Sequence, residues 1–167
     1  MAGRAPERRG RRPAPRGGRF ALVAARFNEP ITKKLVEGAL HTFGAAGVEA
    51  DAVEVHWVQG SFELPQAAAI LAGSGRYAAI VCVGCVIRGQ TPHFEHVARE
   101  AASGIQRVAL QTGVPAAFGL ITALTEEQAW ERAGGEVGNR GEEAAHAALE
   151  MAAFKRSQGG HGTAPKG

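Results

Sequence analysis

Arg88, Gly89, Gln90, Thr91 and His93 follow one another within a few positions of the chain. They bring together a cation, a flexible backbone, two hydrogen-bonding side chains and a group that exchanges a proton near neutral pH. Thr91 suits a helix N-cap, and Pro92 suits the first helical position, where its missing N–H costs nothing. Free backbone N–H groups at a helix start hold an anion well. The segment therefore reads either as a phosphate or oxyanion cradle or as an ordinary strand-to-helix connection. It is not a P-loop, because G-x-x-x-x-G-K-[ST] is absent. No G-x-G-x-x-G follows the first apolar run either, so ATP and dinucleotides are not expected ligands. His93 is either a proton carrier or a surface or core histidine. His96, three residues on, offers a second metal-binding nitrogen, but no third ligand stands nearby and no metal is expected.

Cys82-Val83-Gly84-Cys85 spells C-x-x-C, which invites a redox or zinc reading. Here the motif lies inside an apolar run, whereas a redox motif opens a helix. Residues three apart on a strand point to opposite faces, so two buried structural thiols are expected. Phe62-Glu63 and Phe118 can sandwich a planar ring or pack into a core. Arg132 beside Gly134-Gly135, and Arg140 between Gly138 and Gly141, can clamp an anion or face solvent.

Positioning these residues requires strands that end at one rim. Ala78 to Ile87 is apolar or small throughout and rich in Val and Ile, the pattern of a strand buried on both faces of a parallel sheet. The helix after it carries a stripe at Val97, Ala101, Ile105 and Val108. Phe20 to Ala25 forms an earlier strand, and Asn28 or Glu29 with Pro30 starts a helix whose Ile31, Leu35, Ala39 and Phe43 share a face and which ends at Gly44 or Gly47. Val53 to Val58 is a strand alternating at Val53, Val55 and Trp57; after Gly60 to Glu63 a helix through Ala67 to Leu71 follows, ended by Gly73-Ser74-Gly75. Ala116 to Leu120 is a short fourth strand. Thr125 caps another helix with Gln128 three residues on, stopping at Gly134-Gly135, and a last helix runs from about Asn139 to Phe154. This β-α-β-α-β-α-β-α-α order predicts a three-layer αβα sandwich around a four-stranded parallel sheet. In such sheets ligands lie outside the carboxyl ends of the strands. There the sequence offers Phe27-Asn28, Ser61-Phe62-Glu63, Arg88 to His93, and Phe118 with Thr122.

With 167 residues, 45% hydrophobic and 21% charged, the chain fits one domain with a real core. No apolar run approaches the ~20 residues of a membrane helix. The basic N-terminus lacks an apolar segment behind it, so no secretory signal is expected, and the cysteine usage suits a reducing cytoplasm. The net charge of +3 is unevenly spread: residues 1–19 contribute +6 and residues 155–167 contribute +3, so residues 20–154 carry −6. Residues 1–18, rich in Arg, Pro and Gly, read as a disordered basic arm, residues 19–156 as the folded domain, and 157–167 as a flexible tail. No aromatics interleave the arginines as a stacking surface would require. Nucleic acid is therefore not expected as a partner, nor is a membrane.

Taken together, R-F-N-E-P-I-T, Q-G-S-F-E-L-P, G-C-V-I-R-G-Q-T-P-H-F-E-H-V, F-G-L-I-T, E-Q-A-W-E-R-A-G and G-N-R-G-E-E-A-A closely resemble the 6,7-dimethyl-8-ribityllumazine synthases of riboflavin biosynthesis over about residues 20–154. The resemblance implies a flavodoxin-like, doubly wound fold and a cytoplasmic transferase that needs neither metal nor organic cofactor. It implies condensation of 5-amino-6-(D-ribitylamino)uracil with 3,4-dihydroxy-2-butanone 4-phosphate, with loss of phosphate and water. It further implies that Phe27 stacks on the pyrimidine. Ser61, Phe62, Glu63, Cys85, Val86 and Ile87 hold the ring and ribityl chain, Gln90, Thr91 and Arg132 hold phosphate, and His93 transfers protons. Phe118 closes the pocket from a neighbouring subunit, and Asn28, Arg88 and Arg140 are possible additional contacts. Homopentamers, in some members assembled into an icosahedral capsid, are implied, as is a functional link to riboflavin synthase. The link from Gly134 to Gly141 lacks the insertion of members that stay pentameric, which favours the shell. Arg140 stands where the family has Lys, and Gln59 where it has Pro. Two alternatives of other classes are a non-catalytic module binding a ribityl or flavin ligand, and a nucleic-acid-binding assembly acting through the basic arm.

Overall fold

The structure, a computed structural model, describes residues 18–159; the basic arm up to residue 17 and the tail beyond 159 lie outside the described residues. The four strands are β1 (Phe20–Ala25), β2 (Val53–Val58), β3 (Ala79–Ile87) and β4 (Ala116–Ala123). They form a parallel sheet in the order β2-β1-β3-β4. β1 and β3 are central. Every residue of β1 is buried, as is β3 as far as Cys85, which is why neither alternates polar with apolar. The edge strand β2 does alternate. Its Val53, Val55 and Trp57 pack against one core, and Val58 against the other.

Helices α1 (Glu29–Ala45) and α5 (Arg140–Gly159) cover one face; α2 (Leu64–Gly73) and α3 (His93–Thr112) cover the other. The expected stripe of α1 is fully realised, with Ile31, Leu35, Ala39 and Phe43 all buried; large side chains so buried contribute about 1.5–3 kcal/mol each. On α3, Ala101, Ile105 and Val108 are buried and Val97 is half-buried. Cys82 joins the core under α2 and α3, whereas Cys85 joins the core under α1 and α5, so the two thiols do face opposite ways. On the outer strand, the Glu54 carboxylate accepts from the Tyr77 hydroxyl and pairs with Arg19 at 2.7 Å. The Tyr77 hydrogen bond and then Arg19 lower its pKa to about 2.

Several boundaries differ from expectation. The helix through Ala67 to Leu71 is α2, which starts at Leu64 because a 3-10 turn over Ser61–Glu63 runs directly into it and Pro65 is tolerated in its first turn. Pro92, not Thr91, occupies the cap position of α3, and no side chain caps that helix. β4 continues three residues beyond Leu120, pairing Ile121, Thr122 and Ala123 with Cys85, Val86 and Ile87. The short helix α4 (Glu126–Glu131) is capped as expected: Thr125 Oγ1 accepts from the Gln128 N–H at 3.2 Å. It stops at Glu131, and a hairpin of β5 (Ala133–Gly135) and β6 (Gly138–Asn139) follows where only glycines had been legible. α5 runs on to Gly159, so the tail expected from Ser157 begins inside a helix.

The hairpin delivers Asn139 to cap α5. Its Oδ1 accepts from the N–H groups of Gly141 (2.8 Å) and Glu142 (3.1 Å), and its Nδ2 donates to the Lys34 carbonyl of α1 at 3.0 Å. This draws α5 so close that a Cβ at Gly141 would lie 2.0 Å from the Leu35 carbonyl oxygen. Gly141→Ala should therefore destabilise the fold by about 3 kcal/mol or more, read as a lower urea midpoint; an unchanged midpoint would mean that α1 and α5 part without cost. Burial pushes the Cys82 thiol up to about 12, and burial followed by the Glu126 charge does the same for Cys85. Since the thiolate is the reactive form, an alkylating reagent at about pH 8 should label neither cysteine in the folded protein and both in denaturant. Labelling of the folded protein at the rate of a free thiol would contradict this.

Candidate functional site at the carboxyl rim of the sheet

At the carboxyl end of β1 the pairing with β2 outlasts the strand. The Arg26 N–H donates to the Val58 carbonyl at 2.8 Å and the Phe27 N–H to that of Gln59 at 3.0 Å. Phe27 is thus anchored through its backbone while its ring stands 70% exposed. The chain then reverses at Asn28, in left-handed conformation (φ 60°, ψ 42°). That geometry costs about 1–2 kcal/mol for an ordinary L-residue, less for Asn. The Asn28 carbonyl accepts from the Ile31 and Thr32 N–H groups and so starts α1. Its side chain does not cap the helix; instead Nδ2 donates to the Cys85 carbonyl at 2.9 Å, joining the ends of β1 and β3.

Next along the rim is the turn Ser61–Glu63, which lies between α2 and α3. Phe62 is 52% exposed and Glu63 partly buried. Ser61 is buried, and its Oγ has no hydrogen-bond partner among the described residues. It fits because position 84 has no side chain: a Cβ on Gly84 would lie 2.9 Å from that oxygen. Val86 and Ile87 end β3 half-buried, and the Arg88 N–H donates to the Ala123 carbonyl at 2.9 Å. Arg88, Gly89, Gln90 and Thr91 are exposed, and so is His93, the first residue of α3. With no side-chain cap, the first turn of α3 presents N–H groups and the positive end of its dipole to the rim. Phe27, Asn28, Ser61 to Glu63, Cys85 to Ile87 and the 88–93 segment are therefore brought together.

Three residues of interest are not. Phe118, expected at a strand end, sits opposite Cys82 as the third residue of β4, which runs on five residues beyond it to the rim. Five residues separate its level from Ile87, about 16 Å at strand rise, and its ring is 47% exposed on the sheet edge. Arg132 lies between α4 and β5, whose Ala129 and Ala133 respectively pack into the core on the face opposite α3. Its Nη1 donates to the Gln128 carbonyl at 2.9 Å and lies 3.6 Å from Glu131. Arg140, at the start of α5, pairs with Glu143 at 2.6 Å. Sequence reasoning missed the bridging role of Asn28, since nothing local distinguishes it from a helix cap. It also missed Glu126, which lies close enough to Cys85 to raise its thiol pKa.

Two grooves lie away from this rim. One, of about 530 Å³, is lined by residues including Lys34, His41, Trp130 and Asn139. The other, about 620 Å³ and mostly apolar, runs beside Leu110, Ala116, Met151 and Phe154 at the edge carrying β4. Among the described residues, no three His, Cys, Asp or Glu side chains gather as a metal-ligand set, and no helix is long and apolar enough to cross a membrane.

The rim thus combines an exposed aromatic platform, a buried hydroxyl, an uncapped helix start and a histidine at that start. A family model described as 6,7-dimethyl-8-ribityllumazine synthase matches residues 17–156. The match spans β1 through nearly all of α5, the whole framework that builds the rim. The chain belongs to the 6,7-dimethyl-8-ribityllumazine synthase family, enzymes of riboflavin biosynthesis.

Proposed function

We propose that the rim condenses 5-amino-6-(D-ribitylamino)uracil with 3,4-dihydroxy-2-butanone 4-phosphate. The 5-amino group attacks the ketone and water leaves to give an imine. Phosphate is then eliminated, and the ribitylamino nitrogen closes the second ring with loss of water. No step needs a strong nucleophile. Each needs orientation, a moved proton or a stabilised leaving group.

Phe27 stacks on the pyrimidine, a role its fixed backbone and bare ring suit. The Ser61–Glu63 turn and Cys85 to Ile87 flank the ring and ribityl chain. The buried Ser61 hydroxyl gains a partner from a polar ligand there, offsetting the about 1–3 kcal/mol that an unsatisfied group costs. Gln90 and Thr91 hold the phosphate at the start of α3, where an anion is favoured. His93 in that first turn moves the protons of imine formation and elimination. Arg132 and Phe118 complete the site from an adjoining subunit. Exposed Phe118, Leu110, Met151 and Phe154 along the β4 edge give such contacts apolar surface, in keeping with a homopentamer and a shell built from pentamers. We assign the protein to the cytoplasm.

The observation that carries this reading is the convergence of Phe27, Ser61, Cys85 and the start of α3 at one rim, in a chain matched almost throughout by the synthase family. Incubation with both substrates should generate the fluorescence of the lumazine product. His93→Ala should slow the reaction by ~10²-fold or more, the usual contribution of a positioned acid–base group, while leaving measurable turnover. Complete loss of turnover in a folded, assembled His93→Ala protein would contradict this division between proton transfer and positioning.

A further inference from the structure

We propose that Asn28 is a positioning residue of the site. Its left-handed backbone and its amide bridge to β3 together fix where the Phe27 ring stands. This rests on the synthase reading above and deepens it.

The bridge serves no need of the helix it precedes. The start of α1 is already made by the Asn28 main-chain carbonyl, which accepts from Ile31 and Thr32, and by Pro30 in the first turn. No N–H of α1 is bonded by the Asn28 side chain. Instead the side chain crosses to a residue 57 positions away and ties the end of β1 to the Cys85 carbonyl. A carbonyl only accepts, so the amide nitrogen must face it, which leaves Oδ1 as the group's acceptor.

Phe27 is consequently held from both sides. Its own N–H is bonded to Gln59 of the β2 end, and the next residue is bonded to β3. Asn28 is the one non-glycine residue with positive φ among the described residues. Asparagine is suited to this place because it tolerates the left-handed region and also carries a donor. Glycine meets only the first requirement, glutamine only the second, and ionised aspartate tolerates the geometry but turns an acceptor towards the Cys85 carbonyl.

These differences define the test. Asn28→Gly and Asn28→Asp should both fold and assemble, since each permits the left-handed turn. Each should raise KM for the ribitylaminouracil roughly tenfold, the scale of one lost hydrogen bond between fixed groups. Both kcat and KM for the butanone phosphate should stay within about twofold, because the phosphate end of the site does not depend on the bridge. Calorimetric titration with the ribitylaminouracil alone should show the same loss without turnover.

Variants matching the wild-type protein in both KM and calorimetry would overturn the proposal. So would a parallel rise in both KM values, which marks general loosening of the rim rather than positioning of Phe27. If the wild-type protein binds the ribitylaminouracil but forms no lumazine, the reaction assignment fails, while calorimetry still judges Asn28. If the wild-type protein binds no ribitylaminouracil, both fall.

Discussion

A parallel strand buried on both faces can offer chemistry only where it ends. β1 and β3 meet that condition along almost their whole length. Their side chains are committed to two cores, one under α1 and α5 and the other under α2 and α3. Polar groups placed along them would lose hydration without a partner. The candidate site residues are therefore gathered at the carboxyl ends of the strands and the segments just past them. The bond from Asn28 to the Cys85 carbonyl holds those two ends together. Gly84 belongs to the same constraint, since the lack of a side chain there admits the Ser61 hydroxyl to the sheet end.

The fourth strand does not join this convergence. β4 runs level with Ile87 at its end, so Phe118 lies well below the rim, and Arg132 follows a helix packed on the face opposite α3. A single chain accordingly holds an exposed ring, a hydroxyl, a helix start and a histidine at the rim, with Phe118 and Arg132 placed elsewhere. The rings of Phe27, Phe62 and Phe118 are all exposed and so open to contact. On the function proposed above, the folded monomer would be a set of half-sites completed by assembly.

Much of this was legible in the residues. The buried strands, the α1 stripe, the Thr125 cap and the opposed cysteines all follow from local periodicity and side-chain chemistry, which act over a few residues. The misreadings share a different origin. The last residues of β4 owe their strand geometry to pairing with Cys85 to Ile87, a long-range contact that local sequence does not encode. The Ala133–Asn139 hairpin is too short to show alternation and is fixed by docking onto α1. Asn28 looked like a cap because its local sequence is that of a cap; its actual partner lies on another strand. The rim residues near β1 and β3 could be listed from sequence. That Phe118 and Arg132 stand apart from them could be seen only once the register of β4 and the side taken by α4 were known.

The most direct test of the shared site is subunit complementation. One variant carries Phe27→Ala with His93→Ala and keeps Phe118 and Arg132. The other carries Phe118→Ala with Arg132→Ala and keeps the rim. Co-expressed in equal amounts, they should form mixed assemblies in which about a quarter of the sites join an intact rim to an intact neighbour, as head-to-tail contacts in a ring require. Lumazine synthesis well above the mean of the two separate variants is the predicted result. Activity no greater than that mean, in assemblies verified to contain both chains, would show that each chain builds its site alone and would contradict the account.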